Sequence, residues 1–320
     1  IAYKFFKDWS TPILIEQKET HNNKIIRQHT NRFIQRYIHI REIKDLNEIS
    51  QNEYGGIIVG SDQIWRKEYF RAMWKSPIKN AFLAFTKNWE IKRISYAASF
   101  GLANLSGYSD LEIISCRKAL NHFDRISVRE ASGIEICRNK LCANAELVLD
   151  PTMLLEKDDY ENIIATESID KVSGDIMLYI LDPSPFKDQI IEKTVNLIEG
   201  RPFNAFAETG NRKIPVQNRI QPPVEFWLRG FMDAKIIVTD SFHACVFSII
   251  FNKPFIVLGN SNRGNTRLNS LLSMYSLQDR LILSMEDFDK IADNIMELAL
   301  YDNQMRKNLS LKFIYDAINE

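Results

Sequence analysis

This 320-residue sequence has few cysteines, no excess of either charge and no long apolar run. Its four cysteines form no CxxC pair and have no histidine at zinc-site spacing, which predicts free thiols in a reducing cytoplasm. Lys+Arg and Asp+Glu both number 41, and this balance argues against nucleic acid as the main partner. No apolar run approaches the roughly 20 residues that a transmembrane helix needs.

The remaining composition is that of a globular protein of two ordinary domains. Hydrophobic residues make up 45% of the chain and aromatic residues 11%. The sequence begins with Ile1 rather than Met, so we expect the start of the first domain to lie outside it. The basic, aromatic stretch at residues 3–7 leaves two interpretations open, a surface loop or a contact with the inner face of a membrane.

Short apolar runs alternate with helical patterns along the chain. Strands are predicted at 55–60, 92–97, 125–128, 146–149, 176–181, 203–207, 235–239 and 255–258. Helices are predicted at 22–38, 109–120, 130–138, 186–198, 224–232, 242–251, 286–300 and 303–318. The strands are continuously apolar, which predicts parallel sheets covered by helices on both faces.

The fold class predicted is therefore α/β, with two successive domains at residues 1–155 and 156–320. We expect the last helix to pack back on the first domain. Paired α/β domains of this kind bind ligands in the cleft between them, outside the carboxyl ends of the strands.

The first candidate site is the run Val238-Thr239-Asp240-Ser241-Phe242-His243. A β-branched strand ends at Thr239, and Asp240 or Ser241 can cap the helix that follows. His243 then lies in the first turn of a helix, where free N–H groups and the helix dipole attract anions. It is a candidate general acid/base, and the alternative is a buried capping histidine.

The second candidate is the run Gly60-Ser61-Asp62-Gln63-Ile64-Trp65, which follows a predicted strand directly. Ser61, Asp62 and Gln63 carry groups that suit sugar hydroxyls, and Trp65 offers a face for a sugar ring. The alternative is an ordinary turn in which Asp62 caps a helix.

The third group consists of arginines at strand ends. Arg129 and Glu130 follow the predicted strand at 125–128, and Arg263 and Arg267 follow the strand at 255–258. An arginine in such a position can bind a carboxylate or phosphate through two hydrogen bonds. The alternatives are a structural salt bridge for the Arg129–Glu130 pair and a solvated loop for Arg263.

Together these segments resemble the polysaccharide pyruvyl transferase family of bacterial surface-polysaccharide gene clusters. The resemblance is carried, over about residues 55–280, by the motifs GSDQIW (60–65), SYAASFG (95–101), SVRE (127–130), LDPT (149–152), TDSFHA (239–244) and IFNKP (250–254). It implies two Rossmann-like domains similar to the GT-B glycosyltransferase architecture. Members of the family carry Arg-Leu-His where this chain has Ser241-Phe242-His243. Either Arg267 or Arg263 replaces the family arginine, or the donor differs.

The resemblance also implies a reaction. Phosphoenolpyruvate would be the donor substrate, without a metal or other cofactor, and a sugar, lipid- or nucleotide-linked, would be the acceptor. His243 and Arg129 would be catalytic, and Arg267, Arg263, Ser241 and Glu130 would bind the donor. Asp62, Gln63, Ser61 and Trp65 would bind the acceptor. Two alternatives stay open: a glycosyltransferase that uses a nucleotide sugar, and a non-catalytic relative that binds sugars or anions.

Overall fold

The computed structural model describes residues 15–207, 209, 213–260, 264–297 and 303–320. Two of the features predicted above, Arg263 and the stretch at 3–7, lie outside the described residues. The described part contains two parallel β-sheets and 12 α-helices, so the predicted α/β class is confirmed. The division into domains at residue 155 stays a prediction.

The first sheet has four parallel strands in sequential order: β1 (Gly56–Val59), β2 (Lys92–Ala98), β3 (Arg125–Val128) and β4 (Glu146–Leu147). The helices of this half are α1 (Ile15–Ile26), α2 (Gln28–Tyr37), α3 (Lys67–Trp74), α4 (Asp110–Leu120) and α5 (Ala131–Leu141). Helices α4 and α5 cover one face of the sheet, where Cys116 and Ile136 pack in the same cluster as Val128. The helix predicted at 22–38 is thus two helices that meet at Arg27.

The second sheet has five parallel strands in the order β6-β5-β7-β8-β9. Its strands are β5 (Ile176–Tyr179), β6 (Pro202–Asn204), β7 (Ile236–Thr239), β8 (Phe255–Leu258) and β9 (Leu281–Ile282). The helices of this half are α6 (Lys157–Ala165), α7 (Pro185–Ile198), α8 (Val224–Asp233), α9 (Phe242–Ile250), α10 (Thr266–Met274), α11 (Met285–Ile291) and α12 (Gln304–Asn319).

Strand β7 shows why the apolar runs predicted sheets covered on both faces. Ile237 packs in the core with α8 and α9, and its neighbour Val238 packs in the core with α7 and α11. Both side chains are fully buried. Successive side chains of a strand point to opposite faces, so both faces of this sheet are covered.

Strand β1 departs from this pattern. It was predicted to be buried, but it lies at the edge of its sheet and Ile58 is 52% exposed. The glycine-bounded apolar run therefore predicted the strand correctly and its burial wrongly, because an edge strand is paired on one side alone.

Helix α12 returns to the first sheet. Phe313 and Ala317 pack against Ile94 and Tyr96 of β2. The Ser310 hydroxyl accepts a hydrogen bond from the Leu149 amide at 3.0 Å. The last helix therefore contacts the segment just after β4, which leads to Asp150.

Candidate active site

The candidate site is a cleft at the carboxyl ends of strands from both sheets. The space within it measures about 490 Å³ when the open mouth is counted. The first half contributes Asp62 and Gln63, which follow β1. The other lining residues come from the second half: Leu181, Asp240, Ser241, Phe242, His243, Gly264, Arg267 and Leu268.

The N-terminus of α9 forms one wall of the cavity. Ser241 caps the helix, and its side chain accepts a hydrogen bond from the Ala244 amide. Because the first N–H groups of a helix have no intrahelical acceptor, this wall presents donors and the positive end of the dipole. His243 lies in the first turn with its side chain 40% exposed. An acid/base group and an anion-attracting helix end thus face the same cavity.

Arg129 lies behind this cavity, with its side chain 1% exposed. Its two terminal nitrogens already donate to carboxylates, Nη1 to Asp150 Oδ2 at 2.6 Å and Nη2 to Asp62 Oδ1 at 2.7 Å. The guanidinium also lies 4.5 Å from the centre of the Phe242 ring. Arg129 was predicted to bind a carboxylate or phosphate and to be catalytic, and the carboxylates that it binds in this structure are those of Asp150 and Asp62. Its geometry is that of a residue that positions Asp62 and Asp150.

Asp150 is a buried carboxylate between Arg129 and His243. Its Oδ1 accepts hydrogen bonds from the amide and hydroxyl of Thr152, at 3.1 and 2.8 Å. Its Oδ2 lies 3.7 Å from His243 Nε2. Burial acts to raise the pKa of Asp150, but His243, Arg129 and Thr152 together hold this pKa well below its usual value. Asp150 is therefore ionised at neutral pH and can orient the imidazole of His243.

Arg267 is the cation that faces the cavity. Its side chain is 9% exposed, and among the described residues its guanidinium makes no hydrogen bond. Nη1 lies 3.9 Å from Asp62 Oδ1, and the guanidinium lies 5.5 Å from the centre of the Phe242 ring. Burial, followed by repulsion from Arg129, lowers the pKa of Arg267 to about 10. A desolvated cation without hydrogen-bond acceptors is a site prepared for an anionic ligand.

Asp62 and Gln63 form the opposite rim. The Asp62 side chain is 68% exposed, whereas Gln63 is buried and accepts a hydrogen bond from Arg66 at 2.9 Å. Partial burial acts to raise the pKa of Asp62, but the charges of Arg129, His243 and Arg267 lower this pKa below its usual value. Asp62 therefore presents an ionised carboxylate that accepts hydrogen bonds, as a sugar hydroxyl requires.

Three predicted site residues do not line the cavity: Trp65, Ser61 and Glu130. Trp65 is fully buried, stacks on Phe82 with ring centres 4.7 Å apart and donates to the Ala81 carbonyl. The expectation that it offers a face to a sugar ring is wrong, because the ring lies in the core. Ser61 is partly buried in the turn after β1 and is not one of the residues that line the cavity.

Glu130 also lies outside the cavity. It is fully buried, and its Oε1 accepts hydrogen bonds from the Ser99 hydroxyl and the Phe100 and Gly101 amides. Burial raises the pKa of Glu130. The expectation that it binds the donor is corrected, because its carboxylate holds the loop after β2. That loop in turn packs against the rim, since a Cβ at Gly101 would meet Gln63 Oε1 at 2.1 Å.

A second buried ion pair lies beneath the cavity and has no signal in the sequence. Asp240 Oδ2 accepts a hydrogen bond from Lys187 Nζ at 2.6 Å, and both side chains are buried. Asp240 also accepts from the amides of Leu181 and Asp182. It joins the ends of β5 and β7 and leaves the capping of α9 to Ser241. Lys187 lies in α7 without any motif around it, so only the folded structure brings the pair together.

The family model described as polysaccharide pyruvyl transferase matches residues 4–262, which is most of the chain. The chain belongs to the polysaccharide pyruvyl transferase family. No curated protein matches it significantly. The match covers Asp62, Arg129, Asp150 and His243 and ends before Arg267. The family indicates a transferase that acts on polysaccharides.

The described residues contain neither a candidate metal cluster nor a membrane-spanning helix. No group of three or more His, Cys, Asp or Glu side chains is arranged to hold a metal ion there. No helix in the described part has the length and hydrophobicity to cross a membrane.

Proposed function

We propose that this member of the pyruvyl transferase family transfers the enolpyruvyl group of phosphoenolpyruvate to a sugar and closes a cyclic pyruvate ketal. The observation that supports this most is Arg267, a buried guanidinium without a hydrogen bond among the described residues, in the same cavity as His243. Phosphoenolpyruvate carries a phosphate and a carboxylate, and a guanidinium binds either through paired hydrogen bonds. We further propose that the reaction takes place in the cytoplasm, in a cleft between two Rossmann-like domains arranged as in GT-B glycosyltransferases.

In the proposed reaction, Arg267 and the N-terminus of α9 hold the donor phosphate. His243 donates a proton to the methylene carbon of the enol, which leaves an oxocarbenium-like carbon. One sugar hydroxyl attacks that carbon and passes its proton to His243, which restores the proton that His243 gave up. A second hydroxyl of the same sugar then displaces phosphate, which leaves with its bonding electrons and takes up the proton of that hydroxyl, and the ketal ring closes. The fixed positive charges stabilise the leaving phosphate.

The roles of the remaining residues follow from their contacts. Asp150, 3.7 Å from the imidazole of His243, orients it through its charge, and Arg129 holds Asp150 and Asp62 in place. Asp62 accepts a hydrogen bond from an acceptor hydroxyl and orients it towards the donor carbon. Arg267 takes the place of the family arginine whose position is occupied by Ser241 in this chain.

The test is phosphate release from phosphoenolpyruvate with a panel of nitrophenyl and lipid-linked sugars. Wild type should release phosphate only with an acceptor, and His243→Asn should lose this activity. His122→Asn is the matched control, because His122 is exposed and lies far along the chain from the cavity residues.

Two outcomes would contradict the proposal. Absence of phosphate release together with binding of a nucleotide sugar would support a glycosyltransferase. Binding of phosphoenolpyruvate without turnover, unaffected by His243→Asn, would support a non-catalytic relative.

A further inference from the structure

A stretch of the first half carries positive charge without any acid. Residues 69–89 contain Arg71, Lys75, Lys79 and Lys87 and no Asp or Glu, in a chain whose net charge is zero. The rest of the chain carries 37 Lys+Arg, which is 41 less the four of this stretch, against all 41 Asp+Glu. A local excess of this kind indicates a negatively charged partner surface.

The structure concentrates this charge around an exposed apolar helix end. Residues 71–75, at the end of α3 and just after it, are all exposed. Met73 is 74% exposed and Trp74 is 53% exposed. We call residues 71–75 together with Lys79 the α3 tip. Large apolar side chains that project together from a soluble surface mark interaction sites.

The base of the α3 tip is rigid. Phe70 anchors the helix in the core, and Ile78 and Phe82 are buried just beyond the tip. Glu68 lies at the other end of α3, where Lys67 pairs with Glu112 of α4 at 2.6 Å. The tip is therefore a fixed protrusion that presents tryptophan, methionine and three cations.

We propose that the α3 tip docks on an anionic lipid bilayer. Tryptophan prefers the interface between headgroups and acyl chains, and Lys and Arg are attracted to anionic headgroups. Shallow insertion of Met73 and Trp74, with Arg71, Lys75 and Lys79 at headgroup level, matches the pattern of interfacial helices. The acid-free charge distribution favours lipid over a protein partner, whose surface would carry charges of both signs.

The position of the tip suits the proposed reaction. Helix α3 begins four residues after Gln63, and its eight residues span about 12 Å. At the start of this helix, Arg66 donates to Gln63, which lines the cavity. A protein held by the tip would keep the cavity near the membrane surface, where a lipid-linked sugar is presented. This consequence rests on the proposed function, whereas docking itself does not.

The test is co-flotation of the protein with vesicles, without donor or acceptor. One set of vesicles is neutral phosphatidylcholine, and the other contains about 30% phosphatidylglycerol to give a negative surface potential. Wild type should float with the anionic vesicles and be released by about 0.5 M salt, which screens the attraction. Arg71→Gln, Lys75→Gln and Lys79→Gln together should weaken partitioning about a hundredfold, since each cation near the surface contributes about fivefold.

A second variant tests the apolar part. Met73→Ser with Trp74→Ser should reduce flotation, whereas Met305→Ser with Leu309→Ser should not. The control residues are 74% and 58% exposed on α12, so they match the tested pair in exposure. All variants should keep wild-type phosphate release with a soluble acceptor, so failure of docking and failure of the proposed reaction are separable. No flotation of wild type with anionic vesicles at low salt, or equal flotation of both tip variants and wild type, would overturn the proposal.

Discussion

Replacement of Arg267 by methionine should stabilise the free protein and abolish donor binding. Burial and repulsion from Arg129, partly opposed by the attraction of Asp62, lower the pKa of Arg267 to about 10, which corresponds to a net cost of about 3 kcal/mol for keeping the charge. This net cost already contains the attraction of Asp62. The contact with the Phe242 ring returns about 1 kcal/mol. Methionine has a similar length and no charge, so Arg267→Met should be more stable by about 2 kcal/mol, or about 3 °C in Tm.

Donor binding should change in the opposite direction. Two charge-assisted hydrogen bonds to phosphate are worth about 3 kcal/mol, so Arg267→Met should bind phosphoenolpyruvate at least about a hundredfold more weakly. Calorimetric titration measures this affinity, and thermal unfolding with and without phosphoenolpyruvate measures both effects in one experiment. Wild type should gain stability from the ligand, and the variant should not.

Arg280 provides the matched control. Its side chain is 8% exposed, close to the value for Arg267, but its guanidinium donates to the carbonyls of Asn294, Ile295 and Glu297. Arg280→Met should therefore destabilise the protein by about 2 kcal/mol or more, because it leaves buried acceptors unpaired. Its donor affinity should be unchanged. An Arg267→Met protein that is as destabilised as Arg280→Met and binds the donor normally would refute the assignment of Arg267 as the anion site.

Three further substitutions test the surroundings of the site. The pKa of Asp150 lies below its unfolded value of about 4, so its stabilisation is present above that pH and is lost as the pH falls below it. Urea titrations at several pH values below about 4 measure how steeply the free energy of unfolding falls with pH. Asp150→Asn should reduce this slope by up to about 1.4 kcal/mol per pH unit. An unchanged slope would contradict an ionised, buried Asp150. Trp65→Phe should cost about 1–3 kcal/mol of stability with an unaltered acceptor KM, and a raised KM at full stability would restore a sugar-binding role. Gly60→Ala should lose more than about 3 kcal/mol, since its Cβ would lie 2.0 Å from the Tyr96 carbonyl, and a wild-type urea midpoint would show that the turn relaxes.

Much of the fold could be predicted because the strands are continuously apolar. β3 and β8 have the predicted bounds, Arg125–Val128 and Phe255–Leu258. Helix α3 was missed because Phe70 is its one buried side chain, so no apolar periodicity marks it. Helix α6 was missed although Tyr160 and Ile164 lie four residues apart behind a capping box at Glu156. Strand β9 is too short, at two residues, to leave a pattern.

The candidate site was predictable in position and less so in chemistry. Strand ends identified Asp62, Arg129, His243 and Arg267, because parallel strands bring their carboxyl ends to one edge. The sequence could not show that Arg129 is occupied by two carboxylates while Arg267 is not, since this depends on packing between distant segments. The burial of Trp65 has the same origin. A tryptophan after a strand suits a sugar platform and a core equally well, and its neighbours in space decide between the two.

The mass of a sugar acceptor after incubation with phosphoenolpyruvate and the protein distinguishes ketal formation from its alternatives. We expect a product heavier by one pyruvate less one water, formed with one equivalent of phosphate by wild type and not formed by His243→Asn. An acceptor that gains a sugar from a nucleotide sugar, or that gains no mass while phosphoenolpyruvate stays intact, would contradict this expectation.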